Sequence, residues 1–337
     1  MKKRMKQRQI IEAHSYQEIV NAGNYLAVGE GHFEEIDIVY WWRNLHAKPL
    51  QHLFCRLWTG PNEFVAQRLK RLASIKKKLL RNKKLTLWDM QDIGGCRVVV
   101  ATPKDLKKAV AYDIGEPFKK VRRSNYIKKP KKDGYRGVHR IYRYEPYFDS
   151  LPTMDFEVQY RTSLQHLWAT AVESYSAIKG YDLKAGEGPE NVKRFFVLAS
   201  SLFALEEGLS VVPDTSTDRR TLLLELCDLA NRTHIIEALI SSSIKDAVWC
   251  SERGVENTTF SLLCLDVGKR VVESYEIRDM IKAITAYDVA ETHPDKNIVL
   301  TRVVKVPLRI AYPNYWMNAS GFLHELRRIA EKVGFQL

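Results

Sequence analysis

Residues 153–162 read "TMDFEVQYRT", a run that alternates by two. That period belongs to a strand with one wet face and one dry face. Glu157, Gln159 and Arg161 fall on one side, Val158 and Tyr160 on the other. A carboxylate on the polar face of a central strand is costly unless it binds a metal or takes a proton. The alternative is an ordinary Glu–Arg cross-strand pair. Helical period follows at once in "SLQHLWATAVESYSAI" (163–178). Upstream, "RGVHRIYRYEP" (136–146) alternates by two again, and "DIGGCRVVVAT" (92–102) reads as a buried strand entered through a glycine pair.

Further out, residues 35–60 place apolar groups at helical spacing, and "NVKRFFVLASSLFALEEGL" (191–209) does the same. Residues 61–81, "PNEFVAQRLKRLASIKKKLLR", read as one helix started by Pro61 and Asn62. The stretch "SVVPDTSTDRR" (210–220) is the linker candidate. Beyond it the pattern predicts a long helix over 220–248 and two strands over 258–276. A helix over 277–291, a strand over 297–306 and a final helix over 319–333 complete a small α+β module. The predicted domains are a basic extension (1–34), a main domain (35–210) and a C-terminal module (211–337).

The chain of 337 residues carries a formal net charge of +13, which favours an anionic partner. Its five cysteines form no CxxC pair, which argues against a disulfide framework and a classical zinc site. The basic start is followed by no apolar run, so it is not read as a signal peptide, and no membrane span is expected. The expected location is the cytoplasm.

The positive charge has two centres. Between Val65 and Lys84 there are nine Lys or Arg and no acid. On a helix, Lys70, Ser74 and Lys78 would share a face with Arg68 at its edge, a spacing that can track a polyphosphate. On charge alone, a solvated surface helix is the plainer reading. The second centre is "YIKKPKKDGYRGVHR" (126–140), where Tyr135 could stand over a groove walled by Lys129, Lys131 and Arg136. A ring that stacks on a base, with cations for phosphates, makes a nucleotide or single-strand site. An exposed basic hairpin with core tyrosines is the alternative. Asp92, before the glycine pair and five residues ahead of Arg97, is a plausible Mg²⁺ ligand beside phosphates, or a turn aspartate. His46 and Arg43 read as packing and capping groups.

The order of these motifs, "RLKRLASIKKK", "DIGGCRV", "YIKKPKKDGYRGVHR", "EVQYRT" and "HLWA", resembles the RelA/SpoT-type synthetase domain of small alarmone synthetases over roughly residues 35–210. The resemblance implies an α+β fold with a mixed sheet flanked by helices. It implies a pyrophosphokinase that moves the β,γ-pyrophosphate of ATP onto the 3′-hydroxyl of a nucleotide. Matched position by position, Arg68, Lys70, Ser74, Lys78 and Arg97 go to ATP, and Asp92 goes to Mg²⁺. Glu157 matches the catalytic glutamate, which binds Mg²⁺ or activates the acceptor hydroxyl. Tyr135 matches the ring that stacks on the acceptor base, while Lys131, Arg136, His139 and Gln159 go to the acceptor side. The family often has Asn where this chain has Asp133 and Ser where it has Gly137, and both bear on the acceptor. No HD-type hydrolase segment is present, so synthesis without hydrolysis is expected.

In the C-terminal module, "IAYPNYW" brackets Pro313 and Asn314 with Tyr312 and Tyr315. It resembles the Tyr-x-x-Tyr neutralising segment of CapRel-type fused toxin–antitoxins. That resemblance implies a pseudo-zinc-finger module that folds over the ATP site. It implies pyrophosphorylation of the tRNA 3′-CCA end and release of the block by a phage capsid protein. Core aromatics of a small domain are the other reading of the two tyrosines, and GDP or GTP is the other acceptor.

Overall fold

The computed structural model describes residues 14–29, 33–146, 151–244, 247–250, 259–293 and 295–336. The basic start up to residue 13 and residues 30–32 of the predicted extension lie outside them. Three helices come first: α1 (Tyr16–Val28), α2 (Phe33–Leu45) and α3 (Ala47–Trp58). Then follow β1 (Phe64–Leu69), α4 (Leu72–Arg81), β2 (Gly94–Val100), α5 (Pro103–Ala111), β3 (Phe118–Asn125), β4 (Val138–Tyr144), β5 (Met154–Thr162), α6 (Ser163–Lys179) and α7 (Glu190–Glu206). The remainder forms α8 (Arg219–Thr233), α9 (Ile235–Ser241), β6 (Ala247–Cys250), β7 (Phe260–Asp266), β8 (Val271–Ile277), α10 (Met280–Ala290), β9 (Lys296–Val304), α11 (Leu308–Ala311) and α12 (Ser320–Glu331).

The strands form one mixed sheet in the order β3-β4-β5-β2-β1-β9-β7-β8-β6. β2 runs parallel to β5 and β6 to β8; the other neighbouring pairs are antiparallel. One face is covered by α3, α5 and α10, which bury Leu53, Phe54, Leu106 and Tyr287 against Phe156, Val158 and Tyr160. The fold is therefore α+β, a mixed sheet flanked by helices.

The sheet crosses the predicted 210/211 boundary without a break, because Val65–Arg68 of β1 pair with Thr301–Val304 of β9. A second core crosses it too: Phe196 and Phe203 of α7 share a cluster with Leu222 and Leu226 of α8 and Phe322 of α12.

Two predicted helices come out differently. Residues 61–81 divide into strand β1 and the shorter helix α4. A short apolar run such as "FVA" reads equally as buried strand or buried helix. Here β2 and β9 supply backbone partners on both edges of β1, which decides for the strand. The helix predicted over 220–248 breaks at His234, whose φ of 49° is left-handed, and residues 247–250 are strand β6. The basic edge strand β3 carried no strand signal, because its residues are mostly exposed.

Candidate active site

Two rows across the sheet build the site. Arg68 on β1 lies opposite Gly95 on β2, which lies opposite Glu157 on β5. In the next row Ala66, Arg97, Gln159 and His139 are neighbours. Opposite residues share a face, so the polar side chains of both rows project from one side of the sheet. Asp92 stands just before β2. The glycine pair behind it is a packing requirement, since a Cβ at Gly94 would stand 2.7 Å from the Phe156 ring.

Asp92 holds one ammonium on each oxygen, Lys70 at 2.8 Å and Lys78 at 2.7 Å. Lys70 follows β1, whereas Lys78 projects from α4 with Ser74 one turn earlier. The cations expected on one helix thus come from a strand, a turn and a helix, and still converge. Burial alone would raise the Asp92 carboxyl, but the two lysines outweigh it and hold it below its ordinary value.

Around Glu157 the hydrogen bonds close a ring. His139 Nδ1 lies 3.0 Å from Oε1, and Gln159 donates to Oε2 at 2.8 Å. His139 Nε2 lies 2.5 Å from the Tyr135 hydroxyl, which accepts from Arg161 at 3.2 Å. Arg161 also donates to Gln159 at 2.8 Å, completing the circuit. Burial would raise the Glu157 carboxyl, but His139, Gln159 and the Lys78 charge pull it down to about 2. A base that weak accepts protons poorly near neutrality. Its fixed charge suits an ion better.

That depression has a stability consequence. A carboxylate whose folded pKa lies below its unfolded value stabilises the fold above the unfolded value and loses that contribution as pH falls. For Glu157 the window runs from its ordinary 4.5 down to about 2. The contribution at stake is about 3 kcal/mol. Thermal midpoints measured against pH should fall across this window in the wild type, and the fall should be smaller in Glu157→Gln.

Tyr135 is buried and locked rather than free above a groove. Lys131 Nζ lies 5.0 Å and Arg161 Cζ 5.2 Å from its ring centroid, and Tyr126 meets it edge-on at 5.8 Å. Arg136 does not join the acceptor side. It turns to the opposite side of the chain and donates to Ser200 Oγ at 3.2 Å and the Ser210 carbonyl at 2.6 Å. Adjacent extended residues point opposite ways, so Tyr135 and Arg136 could not both line the cavity. The two departures from the family pattern have local explanations. Asp133 Oδ1 accepts from the Tyr135 amide at 2.8 Å, a turn bond that asparagine also makes. At Gly137, with φ of 152°, a Cβ would lie 3.3 Å from the Tyr135 hydroxyl.

Three cavities meet here. A large one of about 1100 Å³ is lined by Lys70, Ser74, Lys78, Lys131, Tyr135 and His139. A second of about 490 Å³ is lined by Arg68, Arg97, Glu173, Lys184, Tyr312 and Tyr315. A small pocket of about 20 Å³ has both Asp92 and Glu157 on its wall, with Arg68, Arg97 and Tyr312. The two carboxylates therefore face one space and offer the hard oxygen ligands that Mg²⁺ prefers. Among the described residues no group of three or more His, Cys, Asp or Glu could hold a metal. An ion at Asp92 and Glu157 would complete its shell with phosphate or water oxygens.

The C-terminal segment reaches this place. Arg97 donates to the Ala311 carbonyl at 3.3 Å and lies 5.4 Å from the Tyr312 ring centroid. Burial, with Arg161 beside it, lowers the Arg97 guanidinium to about 10. The Tyr312 hydroxyl accepts from Thr301 at 2.9 Å and donates to the Gln67 carbonyl at 3.3 Å. Tyr312 and Tyr315 are both buried, packed with Phe64, Ala66 and Val99.

The sequence reading passed over Glu173 and Lys184, an ion pair on the wall of the second cavity. Their signal was present: His166, Thr170 and Glu173 fall on one face of α6, a polar stripe turned inward. Arg161 was placed on the right strand face but given no role.

Comparison with known proteins shows what this chain is similar to. Residues 67–180 match the model of the region found in RelA and SpoT proteins. Every residue matched above to the donor, the acceptor or the metal falls inside that matched segment, and Tyr312 and Tyr315 fall outside it. An uncharacterised protein of Mycobacterium tuberculosis is 28% identical over 183 residues, which are 54% of this chain and 63% of that protein. The chain thus spans under two thirds of the length of that relative. A probable chloroplastic GTP diphosphokinase of Arabidopsis thaliana is 36% identical over 107 residues, covering 31% of this chain and 14% of that one. Among solved structures, small alarmone synthetase 1 of Bacillus subtilis is 27% identical with a TM-score of 0.42, covering 50% of this chain and 92% of that one. A GTP pyrophosphokinase family protein of Streptococcus pneumoniae is 24% identical with a TM-score of 0.42, covering 61% and 97%. Among the described residues no helix is long and apolar enough to cross a membrane.

Proposed function

We propose that the chain is an ATP-dependent pyrophosphotransferase of the RelA/SpoT type whose acceptor is the tRNA 3′-CCA end, and that its resting form is held inactive by the Tyr312–Tyr315 segment. The observation that carries the reading is the shared pocket of Asp92 and Glu157, with Arg68, Arg97 and Tyr312 on its wall.

The reaction makes a bond from the acceptor 3′-oxygen to the β-phosphorus and breaks the bond from that phosphorus to the oxygen retained by AMP. Such in-line transfers depend on positioning and charge neutralisation. Arg68, Lys70 and Lys78 hold the triphosphate, Arg97 the donor nucleotide, and Tyr135 with Lys131 and His139 the acceptor. Asp92 and Glu157 would hold Mg²⁺, which neutralises phosphate charge.

For the acceptor, the large cavity is walled by Lys77, Arg81, Lys131, Lys132 and Lys193. That exceeds what one nucleotide needs and suits a polyanion, whose binding should weaken steeply with salt. A GDP or GTP acceptor is the second reading, favoured by the diphosphokinase relative.

For the inhibition, Tyr312 covers Arg97 on the donor side. The contact is poorly satisfied: Arg97 Nε, His166 Nδ1, Asn314 Oδ1 and Trp316 Nε1 are buried without a partner. Each such atom costs about 1–3 kcal/mol, so this interface sits at the weak end of the fold. A trigger that moves the chain from mostly closed to mostly open must supply about 5.5 kcal/mol of differential binding. We assign that role to a phage capsid protein.

The test compares full-length wild type with Tyr312→Ala/Tyr315→Ala, each given γ-labelled ATP and either deacylated tRNA or GDP. Label on tRNA, at least about a hundredfold more in the variant, is the expected result. Tyr312→Phe, which removes only the hydroxyl contacts, guards against a variant that fails to fold and should show a smaller gain in the same direction. Label on GDP at equal rates in all three would refute both the acceptor and the inhibitory role.

A further inference from the structure

We infer that Lys70 and Lys78 guard Asp92 in place of a divalent cation, so that the metal site forms only after a polyphosphate has drawn the two ammoniums away. The inference rests on the reading of Asp92 and Glu157 as the metal carboxylates.

All four carboxylate oxygens at the shared pocket are engaged by the chain itself. On Asp92, Oδ1 takes Lys78 and Oδ2 takes Lys70. On Glu157, Oε1 faces His139 and Oε2 accepts from Gln159. The pocket's surroundings are already positive: Arg68, Arg97, Lys70 and Lys78 face Asp92 and Glu157, and the neighbouring Glu173 is itself paired with Lys184. A bare divalent cation would have to displace an ammonium from a short contact and then sit among four cations. Nothing in that exchange favours it.

A polyphosphate changes the balance. Lys70 and Lys78 both line the large cavity alongside Arg68 and Ser74. The Lys78 side chain keeps 36% of its exposure, and both lysines have flexible four-carbon stems. Phosphate oxygens entering there offer the ammoniums a more highly charged partner than Asp92. As the lysines turn to phosphate, the Asp92 oxygens come free and the local charge turns negative, the two conditions an oxygen-liganded cation needs. Coupling of this kind is reciprocal, so metal should tighten polyphosphate binding by the same factor. A bare cation cannot occupy the site ahead of the donor, which keeps the carboxylates in register for the donor's own phosphates.

The test is a nucleotide-free Mn²⁺ titration of the full chain, read by the electron paramagnetic resonance of free Mn²⁺. Wild type should show no saturable site up to about 1 mM. Lys70→Gln/Lys78→Gln should bind Mn²⁺ roughly tenfold tighter or more, and adding Asp92→Asn should abolish the gain. Lys78→Gln alone, at the more exposed position, keeps the test informative if the double variant loses its circular-dichroism spectrum, and should show a smaller gain. Two results overturn the inference: a wild-type Mn²⁺ site already as tight as the variant's, or folded variants that gain no binding. No acceptor or turnover enters the measurement, so failure of the guard and failure of the pyrophosphotransferase reading are told apart.

Discussion

Glu157→Gln should reduce pyrophosphate transfer at least about 10³-fold, roughly 4 kcal/mol of transition-state stabilisation, while nucleotide binding stays within about tenfold. The substitution keeps the shape of the side chain, removes the charge and turns one of the two acceptor oxygens into a donor. If Glu157 worked as a proton acceptor, its pKa of about 2 would leave it little capacity near neutrality. A charge that holds an ion beside the transferred group fits the depressed value better, and that function is what glutamine cannot supply. The variant resembles the protonated carboxyl and should cost up to about 3 kcal/mol of stability, so binding is measured alongside turnover. Both are measured in the Tyr312→Ala/Tyr315→Ala background, where the donor cavity is open. Turnover within tenfold of that parent would remove Glu157 from the chemistry.

Truncation after Ser210 should yield no stably folded protein. The cut would strip β9 from β1 and expose the backbone of Val65–Arg68. It would remove Leu222, Leu226, Phe322 and Ile329 from the core they share with α7. Each of these buries about 1.5–3 kcal/mol of apolar stabilisation. It would also orphan Arg43, which is fully buried and ion-paired with Asp288 and Glu291 of the α10 end. Glu291 further accepts from the Leu72 amide at 3.0 Å, tying α10 to the start of α4. A buried charge deprived of its partners costs about 3–5 kcal/mol, set against a total stability of about 5–15 kcal/mol. Soluble yield and a cooperative melt check the outcome. A truncated chain that melts cooperatively near the wild-type midpoint would contradict the continuous-sheet account. The consequence for regulation is physical: release from inhibition must leave most of the C-terminal module in place and act on the poorly satisfied contacts near Tyr312.

The sequence was most legible where one pattern had one structural meaning. The alternation around Glu157 placed Gln159 and Arg161 on its face, and the strand carries them so. The start of the basic segment misled, because "FVA" fits helix and strand alike and the deciding partner, β9, is over 200 residues away. Tyr135 and Arg136 were grouped as neighbours in sequence, yet successive extended residues point apart. Arg43 read as a packing residue because its carboxylate partners lie about 245 positions downstream. Long-range pairing, not local pattern, made the differences.

The central claim is that the β,γ-pyrophosphate moves as a unit. The most direct measurement resolves the nucleotide products of ATP in the opened variant with tRNA present, by anion-exchange chromatography. The account predicts AMP appearing in one-to-one ratio with label on the RNA 3′ end, both lost in Asp92→Asn. ADP in place of AMP, or label released only as free phosphate, would contradict it.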